Sequence, residues 1–167
     1  MLLRPILPTD NAAMANVIRT VMPEFQCVGE GFSINDPEVD DMAGAYAGPR
    51  SAFFVVEGAV AGAKEGSRAM LLGGGGYAPL AGGDGSICEL RKMYLLREGR
   101  GRGAGRLLMD ACLAGARAAG YRHMYLETVT AMTDAAAVYH KYGFEYLNQP
   151  LGDTGHSGCD RYMLLAL

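Results

Sequence analysis

The plainest chemical potential in this chain lies in Arg100-Gly101-Arg102-Gly103-Ala104-Gly105-Arg106. Arginines and glycines alternate there, directly before a helical apolar pattern. A helix that opens on such a turn leaves its first amides without carbonyl partners, at the positive end of the helix dipole. Glycine lets backbone approach an anion closely, and Arg100, Arg102 and Arg106 add charge. The segment therefore offers a grip for phosphate or pyrophosphate. Residue types alone leave two other readings open. One is a structural strand–turn–helix with solvated arginines. The other is a nicotinamide-dinucleotide site, because Gly99, Gly101 and Ala104 match the loose Gly-x-Gly-x-x-(Gly/Ala) form. That form belongs in an opening strand–helix–strand unit, whereas this segment lies past the middle of the chain, behind a hairpin pattern.

The elements that position it follow from periodicity. Residues 86–96 read as the strand entering the turn and 103–119 as the helix leaving it. Ala104, Leu107, Leu108, Ala111 and Cys112 form the predicted apolar stripe, and Gly120 fits the position past the helix end. Further strands are expected at 2–7, 51–57, within 68–79, and at 122–129, 144–147 and 161–167. Helices are expected from Thr9 or Asp10 to about Val21, stopped by Pro23, from Pro37 to about Tyr46, and over 134–142. Residues 24–36 read as a loop or broken helix, 58–66 as a hairpin connection and 81–85 as a turn. The run Gly73 to Gly76 weakens its strand and reads as a flexible strand or bulge in preference to a phosphate cradle. With no linker and no repeat, residues 1–167 read as one domain. A meander followed by strand–helix–strand–helix–strand implies a mixed α/β (α+β) sheet with helices on its faces.

Two segments carry a family resemblance. Residues 100–105 resemble the (Arg/Gln)-x-x-Gly-x-(Gly/Ala) signature of the GCN5-related N-acetyltransferase superfamily. Ala135 with Val138-Tyr139-His140-Lys141-Tyr142-Gly143-Phe144 is similar to its second signature, Ala-x-x-Leu-Tyr-x-x-x-Gly-Phe. Glu89 to Leu95 is similar to that family's fourth strand. The resemblance covers about residues 86–147. It implies an acyl-CoA N-acyltransferase fold, a seven-stranded sheet splayed between strands 4 and 5, with coenzyme A in the gap. It further implies acetyl-CoA as cosubstrate and a small-molecule or peptide amine as acceptor, with a homodimer as the expected assembly. Met93, Tyr94 and Leu95 would offer backbone groups to the pantetheine arm. Arg100, Gly101, Arg102, Gly103, Ala104, Gly105 and Arg106 would hold the pyrophosphate. The family often has Asn seven residues before the helix Tyr; here Met132 stands there. That departure gives a non-catalytic acyl-CoA-binding module some footing as an alternative.

Acetyl transfer to an amine needs a base, because an alkylammonium with pKa about 10 has no free lone pair at neutral pH. Glu89 is the candidate base; its other reading is a salt bridge with Arg91 on the same strand face. Tyr139, at the family's helix Tyr, is the candidate acid for the leaving thiolate; its other reading is a packed aromatic. A backbone N–H near residues 93–95 is the expected oxyanion donor. Glu127 and Thr128, at the end of the fifth strand, read equally as substrate-facing groups or a strand-end polar pair. His156 and Cys159 look metal-like but lack a partner cluster, so no metal is expected, and no base is placed beside Cys159 to make it a nucleophile. Residues 148–161 and 24–33 are expected to wall the acceptor pocket. The acidic residues Glu24, Glu30, Asp36, Glu38, Asp40 and Asp41 hint at a cationic acceptor, although a solvated face also explains them.

Bulk properties bound the rest. The chain is 50% hydrophobic and carries a formal charge of -3, without the basic surplus of a nucleic-acid binder. None of its four cysteines forms a Cys-x-x-Cys pair, and Cys88 and Cys112 read as buried free thiols. There is no apolar run of transmembrane length and no signal-peptide pattern, so the expectation is a cytoplasmic protein without membrane contact.

Overall fold

The computed structural model describes residues 1–59 and 69–167 of the chain. Most of the hairpin connection expected at 58–66, and Arg68 at the start of the next strand, lie outside the described residues. Seven strands form one sheet in the order β1-β2-β3-β4-β5-β7-β6. They are β1 (Leu2–Pro5), β2 (Ala52–Gly58), β3 (Met70–Pro79), β4 (Ile87–Leu95), β5 (His123–Thr128), β6 (Glu145–Leu147) and β7 (Arg161–Ala166). Every neighbouring pair is antiparallel except β4 with β5. That parallel pairing joins Ile87 to His123, Cys88 to Met124 and Glu89 to Tyr125 and goes no further. Past Glu89 the two strands part, which is the splay between the fourth and fifth strands that the resemblance implied.

Helices α1 (Asn11–Val21), α2 (Met42–Ala45), α3 (Ala104–Ala118) and α4 (Thr133–Lys141) complete the fold. The alternation of β2 shows how the sheet divides two cores. Phe53 and Val55 point to Met14, Val17, Ile18 and Met42 of α1 and α2. Phe54 and Val56 point to Ala104 and Leu108 of α3. The glycine run lies within β3, paired on both sides. A Cβ at Gly74 would sit 2.6 Å from the Phe53 ring and 2.9 Å from Met14 Sδ. The missing side chain thus lets α1 lie close against the sheet.

Two expectations need correction. The buried stripe of α3 is Ala104, Leu108, Met109, Cys112, Leu113 and Ala116, while Leu107 is 37% exposed. The sequence offers two flanks to the 104–108–112 line, and the one with Met109 and Leu113 buries more apolar area than Leu107 and Ala111. The helix predicted from Pro37 to Tyr46 is instead a 3-10 turn at Pro37–Asp40 followed by the single turn α2. The chain turns at Asp41, whose side chain accepts from the Gly44 amide at 3.1 Å and so starts a new turn. The end of α3 is as expected: Gly120 has φ +79, and the Tyr121 and Gly120 amides close on Ala116 and Arg117.

Candidate active site

The first backbone bond of α3 runs from the Leu107 amide to the Gly103 carbonyl at 3.1 Å. Among the described residues, the amides of Gly101, Arg102, Gly103, Ala104, Gly105 and Arg106 have no protein acceptor, whereas that of Arg100 bonds to Arg97. Gly101 and Gly103 have φ +67 and +91, left-handed values that favour glycine. A Cβ on either would meet nothing within 4 Å. Backbone conformation, not crowding, therefore calls for these glycines. Successive N–H groups in such a turn form an anion-binding concavity.

The arginines are less free than their spacing suggests. Arg100 donates to the Leu95 carbonyl and to Glu24 Oε2, both at 2.9 Å, although its buried Nη2 has no partner among the described residues. Arg102 donates to the Ala59 and Glu98 carbonyls at 3.0 Å. Arg106 is exposed, 3.6 Å from Asp110. Arg100 and Arg102 are thus engaged within the protein, whereas the amides of residues 101–106 have no acceptor among the described residues.

Met93, Tyr94 and Leu95 lie on the part of β4 that has left β5. Just before them the strand bulges: Lys92 and Met93 together oppose Gly75, and Lys92 takes φ +53. The extra residue puts Lys92 on the same face as Glu89, Arg91 and Tyr94. Its side chain, 1% exposed, pairs with Asp36 and lies 3.2 Å from Glu38. Tyr94 meets Ser33 Oγ at 2.9 Å.

This face lines a cavity of about 50 Å³ whose walls include Glu89, Lys92, Glu127, Met132, His156 and Cys159. Segments 24–33 and 148–161 both border it, joined by a bond from the Gly158 amide to the Gly31 carbonyl at 3.0 Å. Glu89 is 2% exposed. Its Oε2 accepts from Arg91 Nε at 2.6 Å, and its Oε1 lies 3.9 Å from His156 Nδ1. Burial lifts the Glu89 carboxyl above the ordinary range, against the pull of Arg91. His156 Nε2 meets Asp36 Oδ2 at 2.9 Å. Burial pushes the Asp36 carboxyl up, but bonds from His156 and Lys92 outweigh it and hold it below the ordinary range. Glu127 Oε1 accepts from Tyr125 at 2.7 Å and Thr154 at 3.0 Å. Burial pushes the Cys159 thiol up to about 12, which disfavours the thiolate a nucleophile needs.

Tyr139 is not among the residues that line the cavity holding Glu89. Tyr139, on α4, is packed in the α3-side core beside Phe144, at 5.8 Å between ring centroids. Burial pushes its phenol up to about 12, and among the described residues its hydroxyl has no hydrogen-bond partner. It lies near enough to Tyr94 to weigh on that residue's ionisation. Met132 caps the start of α4, and its sulfur accepts from Thr128 Oγ1 at 3.6 Å. Sequence reasoning missed the joining of Lys92, Asp36 and His156. A lysine amid apolar strand residues was the one visible sign.

Comparison with known proteins gives a consistent result. The profile of the acetyltransferase (GNAT) family matches residues 17–144. The uncharacterized N-acetyltransferase YjgM of Escherichia coli (strain K12) is 39% identical over 166 residues, covering 99% of this chain and 94% of that protein. A GNAT-family acetyltransferase from Staphylococcus aureus superposes with a TM-score of 0.78 at 16% identity, covering 99% of this chain and 98% of that one. Salmonella typhimurium yncA, solved with its cofactor acetyl-CoA, superposes with a TM-score of 0.72 at 17% identity, covering 99% of this chain and 92% of that one.

Proposed function

The chain belongs to the acetyltransferase (GNAT) family, and from that premise we propose that it transfers acetyl from acetyl-CoA to a primary amine by direct attack in a ternary complex. One observation carries the reading: six amides without a protein acceptor among the described residues lead into α3 beside Leu95, at the end of the part of β4 that has left β5, and a buried carboxylate lies on β4 where the ladder ends. The amides of residues 101–106 would hold the pyrophosphate, and backbone groups of Met93, Tyr94 and Leu95 the pantetheine arm. The bound thioester supplies the acetyl group.

Each residue's part follows from its surroundings. Glu89, its carboxyl raised by burial, takes the proton that the amine must lose before it attacks. Arg91 holds one oxygen of that carboxylate and leaves the other facing the cavity. A backbone N–H of residues 93–95 stabilises the oxyanion. The Tyr139 phenol, kept protonated by burial, offers its O–H to the departing thiolate. The reading includes a cytoplasmic homodimer, which fractionation and light scattering would check.

The test is thiol release from acetyl-CoA in the presence of a broad amine panel. The reading expects release that depends on the amine. Tight acetyl-CoA binding without release would favour a non-catalytic acyl-CoA-binding module instead.

A further inference from the structure

Glu127, on β5, shares this cavity with Glu89, Lys92 and His156. The Glu127 side chain is 4% exposed. Its Oε1 is satisfied by Tyr125 and Thr154, but Oε2 is buried without a hydrogen-bond partner among the described residues. The nearest cationic candidate, His156 Nδ1, lies 3.8 Å away, too far for a hydrogen bond. That same nitrogen is 3.9 Å from Glu89 Oε1. His156 Nδ1 thus lies between two carboxylate oxygens from different strands, within hydrogen-bond reach of neither. The other charges there are compensated: Glu89 by Arg91, and Lys92 by Asp36 and Glu38. Glu127 Oε2 remains without a hydrogen-bond donor among the described residues, which is costly for a buried carboxylate unless something supplies one.

We propose that Glu127 Oε2 anchors the acceptor as an alkylammonium, and that the site selects primary amines with no carboxylate on the carbon bearing the nitrogen. This inference rests on the acetyltransferase reading and names its substrate class. The ammonium supplies the missing donor to Glu127 Oε2, with Glu89 Oε1 beside it to take its proton. A carboxylate on the adjacent carbon would be driven against two glutamates. The basic groups able to receive it, Arg91 and Lys92, are already bound to acids. Free α-amino acids are thereby disfavoured, while alkylamines, diamines and amidated amino acids fit.

The experiment combines specificity, affinity and stability. Matched acceptors, n-butylamine against 2-aminopentanoate and alaninamide against alanine, are assayed by thiol release and titrated calorimetrically into the protein saturated with coenzyme A. The expected result is a preference of about tenfold or more for the member without the carboxylate. Glu127→Gln keeps an oxygen for Tyr125 and Thr154 but turns an NH2 toward the cavity. It should raise KM for the amine about tenfold or more, change kcat less, and leave acetyl-CoA affinity unaltered. It should also raise Tm, because a buried carboxylate oxygen without a donor is removed. A lowered Tm with unchanged amine KM would make Glu127 a structural partner of protonated His156 and overturn the proposal. So would a preference for the α-amino acids, or failure of every amine to bind the coenzyme A complex. No thiol release from the wild type, with the binding preference intact, would instead strike the acetyltransferase reading alone.

Discussion

Replacing Glu89 with glutamine separates its chemical role from its structural one. The substitution keeps an oxygen for Arg91 Nε, now 2.6 Å from Glu89, and removes the charge. Burial disfavours the charge on Glu89 on balance, even with Arg91 beside it, so a neutral isostere that keeps the bond should cost no more than about 1 kcal/mol. Domains are stable by about 5–15 kcal/mol, so the variant stays folded, with Tm within about 4 °C of wild type. Loss of a general base costs about 10²–10⁴-fold in rate, or about 3–5 kcal/mol in the barrier. The expected outcome is kcat/KM down about 10²–10³-fold at a temperature where both proteins are folded, with acetyl-CoA affinity unchanged. The pH profile supplies the control. Because burial raises the Glu89 carboxyl, the base form appears only above an elevated pKa. Wild-type kcat/KM should thus fall on the acid side at a pH above the ordinary carboxylate range, and Glu89→Gln should lose that limb. The folded pKa lies above the unfolded one, so this group's contribution to stability is full below the unfolded pKa and lost as pH rises through the folded pKa. The variant should show no such loss. Activity within threefold of wild type, with the acid limb intact, would refute Glu89 as the base.

Three further outcomes follow from the same geometry. Tyr139→Phe should slow turnover about tenfold or more with little change in coenzyme binding; unchanged turnover in steady-state assays would remove Tyr139 from the mechanism. Lys92→Met leaves Asp36 and Glu38 without the cation they share, and should cost about 3 kcal/mol in urea unfolding; a change under about 1 kcal/mol would mean the pair is not stabilising. Asp10 is held below the ordinary carboxylate range by hydrogen bonds from Arg4 and the Leu7 amide. Its stabilisation is present above the unfolded pKa and lost as pH falls through the folded one. Asp10→Asn should therefore flatten the acid-side loss of stability below the ordinary carboxylate range, measured by denaturation at successively lower pH.

Local signals made the 86–147 segment legible. Its strand, turn and helix are each written in consecutive residues, from the alternation of β4 through the left-handed glycines to the four-residue spacing of Ala104, Leu108, Cys112 and Ala116. The splay followed from the resemblance, since no local pattern announces where two strands part. The cavity was legible only in pieces. Asp36, Lys92 and His156 are 56 residues apart in one pairing and 120 in another. No periodicity links such distances. The bulge that turns Lys92 to the Glu89 face needs a positive φ at a non-glycine residue, which residue type does not signal. Nor did residue type signal that Arg100, expected as a phosphate ligand, also pairs with a distant acid, Glu24. The broken helix at 37–46 shows the same limit, because the capping by Asp41 competes with simple continuation.

Coenzyme binding in the proposed mode depends on backbone amides 101–106 receiving an anion. Amide-resolved NMR titration with coenzyme A, and in parallel with pantetheine, which lacks the diphosphate, tests this most directly. Saturable shifts of the Gly101 to Arg106 amides with coenzyme A but not with pantetheine are predicted. Binding of coenzyme A that leaves these six amides unmoved would contradict the account.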